Sequence, residues 1–297
     1  MPDPGTGNDD RAALFSEHRR LLFSIAYRMV GSASDAEDIV QETYLRWSQA
    51  DTTGVQSAKS YLATTATRLA LDHLQSARVR REVYVGPWLP EPLVGVGADD
   101  PVAAMDVADS LSIAFLVLLE RLTPAQRAAF LLREVFSFEY PEIARIVGTS
   151  EANARQLVQR AKQHVATGRP RFASDAGHAD KLTRHFLEAC KSGQLEGLVS
   201  LLSSEAVAWA DGGGKFAAAR RPIVGADRVA RFAASVVGKW IASGDVRIAP
   251  VNGSLGLVFV AGGRVRAVMT VDVEPVSDRV DQIFIIVNPD KLASVRP

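Results

Sequence analysis

Apolar positions recur at helical spacing through most of the first 170 residues and give way to strand-like alternation toward the C-terminus. Residues 11–30 put Leu14, Leu21, Leu22, Ile25 and Ala26 on one side of a predicted helix. A second predicted helix buries Ile39, Val40, Thr43, Tyr44 and Trp47. Ser34 and Glu37 have the S-x-x-E spacing of a capping box at its start, and Asp35 adds negative charge to its first turn. Residues 58–78 predict a third helix, carrying Tyr61, Leu62, Leu69 and Leu74 and running into Arg78, Arg80 and Arg81. Residues 11–81 contain no proline, as continuous helices require.

The texture breaks at Tyr84-Val85-Gly86-Pro87-Trp88-Leu89-Pro90-Glu91-Pro92, where three prolines in six residues exclude a helix. Gly95, Gly97 and Asp99-Asp100-Pro101 extend this linker. A plain spacer has no need of Trp88 and Leu89. They read either as a loop tucked onto a neighbouring domain or as a functional docking segment.

Helical spacing then resumes. Residues 110–121 predict one helix, and Thr123 caps the next with Pro124 at its first position. A short helix ends at Gly148, where a left-handed residue is favoured, and Ser150 caps a further helix with Ala154, Leu157, Val158, Ala161 and Val165 inward. This is a helix-turn-helix pattern. Its outer positions are Ala152, Asn153, Arg155, Gln156, Gln159, Arg160 and Gln163. Amides pair with adenine edges, and arginine with guanine or phosphate. Lys162, Arg169 and Arg171 suit backbone contacts. A helical hairpin with a solvated face fits the same pattern.

From residue 176 onward, helices are predicted at 178–191, 194–202 and 226–238, then strands at 246–251, 254–260, 265–273 and 280–287. Gly253 and Gly262-Gly263 separate the strands as hairpin turns. Helices followed by an antiparallel sheet make an α+β domain, expected here as a curved sheet forming a cone with a cavity. Asp211-Gly212-Gly213-Gly214-Lys215 is not a phosphate loop, because Phe216 stands at the Ser/Thr position. Asp211, Lys215, Asp272, His178 and His185 are the groups available to an enzyme, and they form no recognised catalytic set.

Charge alters this picture little. Lys plus Arg and Asp plus Glu both number 34, which argues against a protein that coats nucleic acid nonspecifically. Asp35, Glu37, Asp38, Gln41 and Glu42 form an acidic patch, either a solvent face or a docking surface for a basic partner. The single Cys190 excludes a disulfide within the chain and reads as a small core residue. No run approaches 18 apolar residues and the N-terminus has no apolar signal core, so a cytoplasmic protein with no membrane association is expected. Five histidines without a ligand cluster predict no metal, and no cofactor is expected.

The motifs themselves carry a family likeness. Asp35-Ala36-Glu37-Asp38-Ile39-Val40-Gln41-Glu42-Thr43 resembles region 2.2 of the extracytoplasmic-function sigma-70 factors, and the stretch from Ala58 through Tyr61 to Asp72 resembles regions 2.3 and 2.4. Leu122-Thr123-Pro124-Ala125-Gln126-Arg127 and the helix-turn-helix through Lys162 resemble region 4. The Trp88-Leu89-Pro90-Glu91-Pro92 linker, the loop from Asp211 to Lys215 and Asn288-Pro289-Asp290-Lys291-Leu292 are similar to motifs of the SigJ-like group, which has a fused C-terminal SnoaL-like (NTF2-like) domain. Thr149 in the turn and Leu157 in the following helix depart from the usual family pattern.

This resemblance implies four segments: region 2 at 1–80, a linker at 81–108, region 4 at 109–171 and a regulatory domain at 176–297. It implies that Asp35, Asp38, Gln41 and Glu42 bind core RNA polymerase at its clamp, with the flap as a further contact. Trp47, Tyr61 and Arg68 would engage DNA at the −10 element; apart from the resemblance, Arg78, Arg80 and Arg81 read either as further DNA contacts or as a solvated surface. Asn153, Arg155, Gln156, Gln159, Arg160 and Lys162 would engage DNA at the −35 element. No catalytic residue is implied, since bond formation belongs to the polymerase. The SigJ-like motifs would form a regulatory interface through which the third domain contacts the sigma domains, and an unknown small-molecule ligand is compatible with it. Two other classes stay open: a helix-turn-helix regulator with an effector domain, and a SnoaL-like enzyme with an accessory helical region.

Overall fold

The computed structural model describes residues 6–51, 53–82, 84–95, 111–168, 176–274, 277–293 and 295. Gly97, Asp99, Asp100, Pro101, Arg169 and Arg171 lie outside these residues. The chain divides into two compact units: residues 1–80 with 119–165, and residues 81–118 with 166–297.

In the first unit, α1 (Thr6–Val30) packs on α2 (Ala33–Gln49), and α3 (Ala58–Glu82) completes the helical group. The core takes Leu22, Ile25, Ala26 and Met29 from α1, Ala36, Ile39, Val40 and Trp47 from α2, and Leu62, Ala66 and Ala70 from α3. The cap of α2 differs from the expected Ser34–Glu37 box. Ser32 is the N-cap and accepts from the Asp35 N–H at 3.2 Å, so the helix begins two residues earlier. Glu37 is drawn aside by Arg19, 2.5 Å away, and a carboxylate so engaged does not turn back to cap.

Thr123 caps α5 (Pro124–Phe130) in a reciprocal box with Gln126. A π-type turn, Leu131–Val135, follows and was not legible in the sequence. Then come α6 (Tyr140–Val147) and α7 (Glu151–Gly168). Gly148 ends α6 at φ 73, ψ 44, the left-handed conformation expected of that position, and Ser150 accepts from the Asn153 N–H at 3.2 Å to start α7. Arg127 joins the two halves of this unit. Its guanidinium is buried, donating to the carbonyls of Leu119 at 3.0 Å and Met29 at 2.6 Å while paired with Glu120 at 2.7 Å. Burial pulls its pKa down to about 9, still above neutral pH, so the charge and all three contacts persist.

The second unit is an α+β body. One mixed six-stranded sheet runs β2-β1-β6-β5-β4-β3, comprising β1 (Leu202–Asp211), β2 (Ile223–Val224), β3 (Asp245–Val251), β4 (Ser254–Ala261), β5 (Arg264–Glu274) and β6 (Arg279–Ile286). Strand alternation splits its residues between two apolar layers. Ala206, Ala208, Ala210, Leu257, Met269, Ile283 and Ile285 face α8 (Ala176–Ser192), α9 (Leu195–Leu201) and α10 (Ala226–Ser243), which contribute Phe186, Cys190, Leu198, Val229, Ala233 and Trp240. Val258, Val268, Phe284 and Ile286 face the other way, onto Leu89 of the linker, Ile113 and Ala114 of α4 (Ile113–Leu119), and Leu292 of α11 (Pro289–Leu292).

Two expectations for this domain are corrected. The sheet is open, with β2 and β3 as separate edges, and does not curl into the cone-like SnoaL/NTF2 form. Where a cavity was expected, the side chains of Phe186, Trp240 and Phe259 fill the helix-facing layer, with Trp240 and Phe259 stacked 5.8 Å apart. Nor is the sheet wholly antiparallel, because β1 pairs in parallel with β6. The sequence reading placed no strand at 202–211, where the small residues Ala206, Ala208 and Ala210 alternate with little hydrophobic contrast.

Cys190 is buried in the helix-facing layer, and burial pushes its thiol pKa up to about 12. Iodoacetamide is therefore expected to leave the native protein unlabelled at pH 8 and to label it fully in denaturant; fast native labelling would show that the layer is not packed as described. Arg127→Ala is expected to destabilise by about 3 kcal/mol, because it removes the buried partner of Glu120 and of the Met29 and Leu119 carbonyls. Chemical denaturation measures this, and an unchanged midpoint would refute the buried pairing.

Candidate promoter and regulatory surfaces

The exposed face of α7 carries Ala152, Asn153, Arg155, Gln156, Gln159, Arg160, Lys162 and Gln163, while Ala154, Val158, Ala161 and Val165 are buried behind it. Asn153 Nδ2 donates to Thr149 Oγ1 at 2.6 Å, so Thr149 orients this amide. Arg155 pairs with Glu151 at 2.5 Å and lies over the Tyr140 ring of α6, 4.1 Å from its centroid. Lys162 pairs with Glu134 at 2.9 Å. Gln156 is exposed about one helical turn before the adjacent Gln159 and Arg160, which are exposed too.

On α2, Asp38 and Gln41 are exposed. Glu42 pairs with Arg46 at 2.8 Å, and Asp35 lies 3.5 Å from His73 Nε2. Trp47 is only 2% exposed; its indole donates to the Arg11 carbonyl at 3.1 Å and meets the Tyr61 ring at 5.4 Å. In this structure Trp47 is thus a packing group that positions half-buried Tyr61. Arg68 donates to the carbonyls of Arg145 at 2.7 Å and Ile146 at 3.2 Å, satisfying the last turn of α6. Arg78, Arg80 and Arg81 lie on the last turns of α3, and their side chains fall outside the described residues.

In the second unit the three SigJ-like motifs meet at one carboxylate. Asp211, at the end of β1, is fully buried. It accepts from Tyr84 Oη at 2.5 Å, the Leu89 N–H at 2.8 Å, the Gly213 N–H at 3.0 Å and Lys291 Nζ at 2.7 Å. Lys291 also donates to the Leu89 carbonyl and lies 4.1 Å from the Trp88 ring centroid and 5.2 Å from that of Tyr84. A cation between two aromatic faces, paired with a dry carboxylate, meets the geometric demands on a buried charge. Burial first, and then the Asp211 carboxylate, hold the Tyr84 phenol well above its ordinary pKa. It therefore stays a donor, and its oxygen accepts from Asn288 Nδ2 at 2.9 Å.

The glycine run fits this centre tightly. A Cβ on Gly213, at φ +59, would lie 2.4 Å from Asn288 Nδ2, and one on Gly212 would lie 2.3 Å from the Phe216 carbonyl oxygen. Lys215, beyond the glycines, pairs with Asp290 at 2.6 Å. Pro90, Glu91 and Pro92 are buried.

A second anchor was missed by the sequence reading. Asn252, next to the hairpin signal Gly253, is buried at φ +52. Its side chain accepts from the Leu93 N–H at 2.9 Å and donates to the Leu111 carbonyl at 2.9 Å, fastening both ends of the linker segment. Val94 bridges to Val251 beside it. The one signal in the sequence was Asn-Gly itself, which reports a turn and not its tertiary partners. Among the described residues, no three His, Cys, Asp or Glu side chains gather as a metal site, and no helix is long and apolar enough to cross a membrane.

The chain thus carries two helical segments, the second with a helix-turn-helix, a linker between them strapped to an α+β domain, and that domain at its end. Comparison with known proteins narrows the class. Residues 14–80 match the Sigma-70 region 2 family and residues 112–165 match Sigma-70, region 4. The chain is 41% identical to the ECF RNA polymerase sigma factor SigJ of Mycobacterium tuberculosis (strain ATCC 25618 / H37Rv), over 93% of this chain and 91% of that protein. It is 30% identical to the probable ECF RNA polymerase sigma factor SigI of Mycobacterium tuberculosis (strain CDC 1551 / Oshkosh), over 97% of each. Its fold matches the crystal structure of Mycobacterium tuberculosis SigJ with a TM-score of 0.77 at 36% identity, covering 95% of this chain and 98% of that one.

The chain belongs to the extracytoplasmic-function family of sigma-70 RNA polymerase sigma factors, and it is SigJ-like in its sigma regions. Its activity is that of a sigma factor, binding RNA polymerase and recognising promoters.

Gly213→Ala is expected to cost about 1–2 kcal/mol from the left-handed backbone alone, with the clash against Asn288 added, and so to lower the unfolding temperature measurably. Asp211→Asn should cost about 3 kcal/mol by removing the carboxylate charge that offsets the mostly buried Lys291 ammonium. Combining it with Lys291→Met should recover part of that loss. Additive effects in this double-mutant cycle would show that the two side chains do not interact.

Proposed function

We propose that this sigma factor divides its work among four segments: region 2 through residue 80, a linker over 81–108, region 4 over 109–171, and a control domain from 176 to the end. The acidic face of α2, with Asp35, Asp38, Gln41 and Glu42, docks on the clamp of core RNA polymerase by charge complementarity. The polymerase flap is the second contact. Tyr61 and Arg68, with Arg78, Arg80 and Arg81 on the same helix, engage the −10 element, where unstacking bases costs a few kcal/mol that single-strand contacts must return. Trp47 supports this surface by holding Tyr61. The outer face of α7 reads the −35 element: Asn153, Gln156 and Gln159 suit base edges, while Arg155, Arg160 and Lys162 suit guanine or phosphate.

The C-terminal domain, whose motifs resemble those of SigJ-like factors, is the control module. The observation that carries this reading is the buried Asp211 centre, which fastens the chain between the two sigma regions onto that domain. A linker strapped in this way limits the separations and orientations open to the modules at its ends, which must reach two spaced promoter elements. Tethering supplies a high effective concentration, so a modest docking energy is enough for control. An effector molecule acting on the same domain would shift the balance between docked and released linker.

Run-off transcription with core polymerase tests both parts. Gln159→Ala with Arg160→Ala is expected to reduce promoter output about tenfold or more while polymerase binding stays intact, as lost base and phosphate contacts require. Trp88→Ala, which opens the linker anchor, is expected to change promoter output at least about threefold at equal polymerase occupancy, since a shift of about 0.7 kcal/mol in docking suffices. Unchanged output from a folded Trp88→Ala protein would rule out control through the linker.

A further inference from the structure

Beside the Asp211 centre lies a pocket of about 240 Å³, lined by Val85 and Gly86 of the linker, Gly214, Lys215 and Phe216 of the glycine loop, and Arg220. We infer that this pocket binds a small organic carboxylate, and that the bound acid clamps the linker to the C-terminal domain.

Size sets the first limit. The volume lies below the roughly 300–1,000 Å³ of sites that accept drug-sized ligands, so the occupant is a compact acid rather than a nucleotide or a polycyclic compound. Charge sets the second. Among the described residues lining the pocket there is no carboxylate, and two are cationic. Lys215 is committed to Asp290, whereas Arg220 makes no ion pair among the described residues. Asp290 offsets Lys215, and the Asp211 carboxylate beside the pocket is filled by its own donors, which leaves Arg220 as the cation available to an anion there. A guanidinium fork binds a carboxylate in two parallel hydrogen bonds.

Two apolar side chains, Val85 and Phe216, share the wall with polar backbone and the two cations, and their presence favours an organic acid over an inorganic anion. Phe216 is 61% exposed and Val85 46% exposed, both unusual for large apolar side chains and both on the pocket wall. A ligand between them covers that surface. The glycines keep the space open: Gly214, at φ +72, already sets its Cβ position 3.1 Å from Val85 Cβ, so a larger residue would push the linker off. Val85 and Gly86 come from the linker, and Phe216 and Arg220 from the domain. A molecule touching all four binds only the strapped arrangement and stabilises it by mass action. This regulatory consequence rests on the proposed role of the linker; the binding itself does not.

Calorimetric titration of the full-length protein with benzoate, with benzamide as the neutral isostere and inorganic phosphate as the inorganic anion, tests the assignment at matched ionic strength. Benzoate is expected to bind one to one, at least about tenfold tighter than benzamide or phosphate, because only it offers both ring and charge. Arg220→Glu, a change on an exposed side chain, should weaken benzoate at least tenfold while leaving the unfolding temperature of the free protein unchanged. Hydrogen exchange should show benzoate protecting the amides of residues 84–95. No binding, equal binding of benzamide, equal binding of phosphate, or an indifferent Arg220→Glu variant would each overturn the carboxylate site. Binding without protection of 84–95 would overturn the clamp.

Discussion

The buried carboxylate of Asp211 is the constraint on which the second unit depends. It sits at the end of β1 with no exposure to water, and such a charge is tolerable only if its acceptor sites are filled. The donors come from Tyr84 and Leu89 in the linker, Gly213 in the glycine loop and Lys291 in α11. Removing any one segment leaves a charge or a polar group orphaned in the others. The three motifs are therefore one object, and the glycine run is the part that lets the backbone come close enough to complete it.

That object converts a connection into a structural element. Pro90, Glu91 and Pro92 supply a stiff, extended stretch, Leu89 enters the outer apolar layer, and Asn252 closes the far end by bonding Leu93 and Leu111. Ile113 and Ala114 of α4 follow into the same layer. The first helix of the matched region 4 thus shares a core with the C-terminal sheet. In the first unit Arg127 has a comparable part, since one buried guanidinium ties α5 to the end of α1. In both units, single charged groups in dry surroundings define the arrangement of segments distant in sequence, which apolar burial alone specifies poorly.

The open sheet changes what the C-terminal domain offers to a ligand. Its helix-facing layer is closed by Phe186, Trp240 and Phe259, and its opposite layer by the linker, α4 and α11. Space remains at the margin, where linker and glycine loop meet around Arg220. A site there communicates with the linker directly, without any transmission through the core.

Local chemistry announced itself in the chain. The helices of both sigma regions, the caps at Thr123 and Ser150, the left-handed Gly148 and the outer face of α7 follow from spacing and capping rules that act over a few residues. The motifs around Trp88, Asp211 and Asn288 were likewise visible, though not their common centre. Tertiary structure decided the rest: Ser32 displacing Ser34 as a cap because Arg19 takes Glu37, Trp47 turned inward, Arg68 on the α6 carbonyls, and β1 laid parallel to β6. The physical reason is one of range. Periodicity and capping are properties of neighbours in sequence, whereas the partner of a buried charge, an alanine strand or an Asn-Gly turn can come from anywhere in the chain.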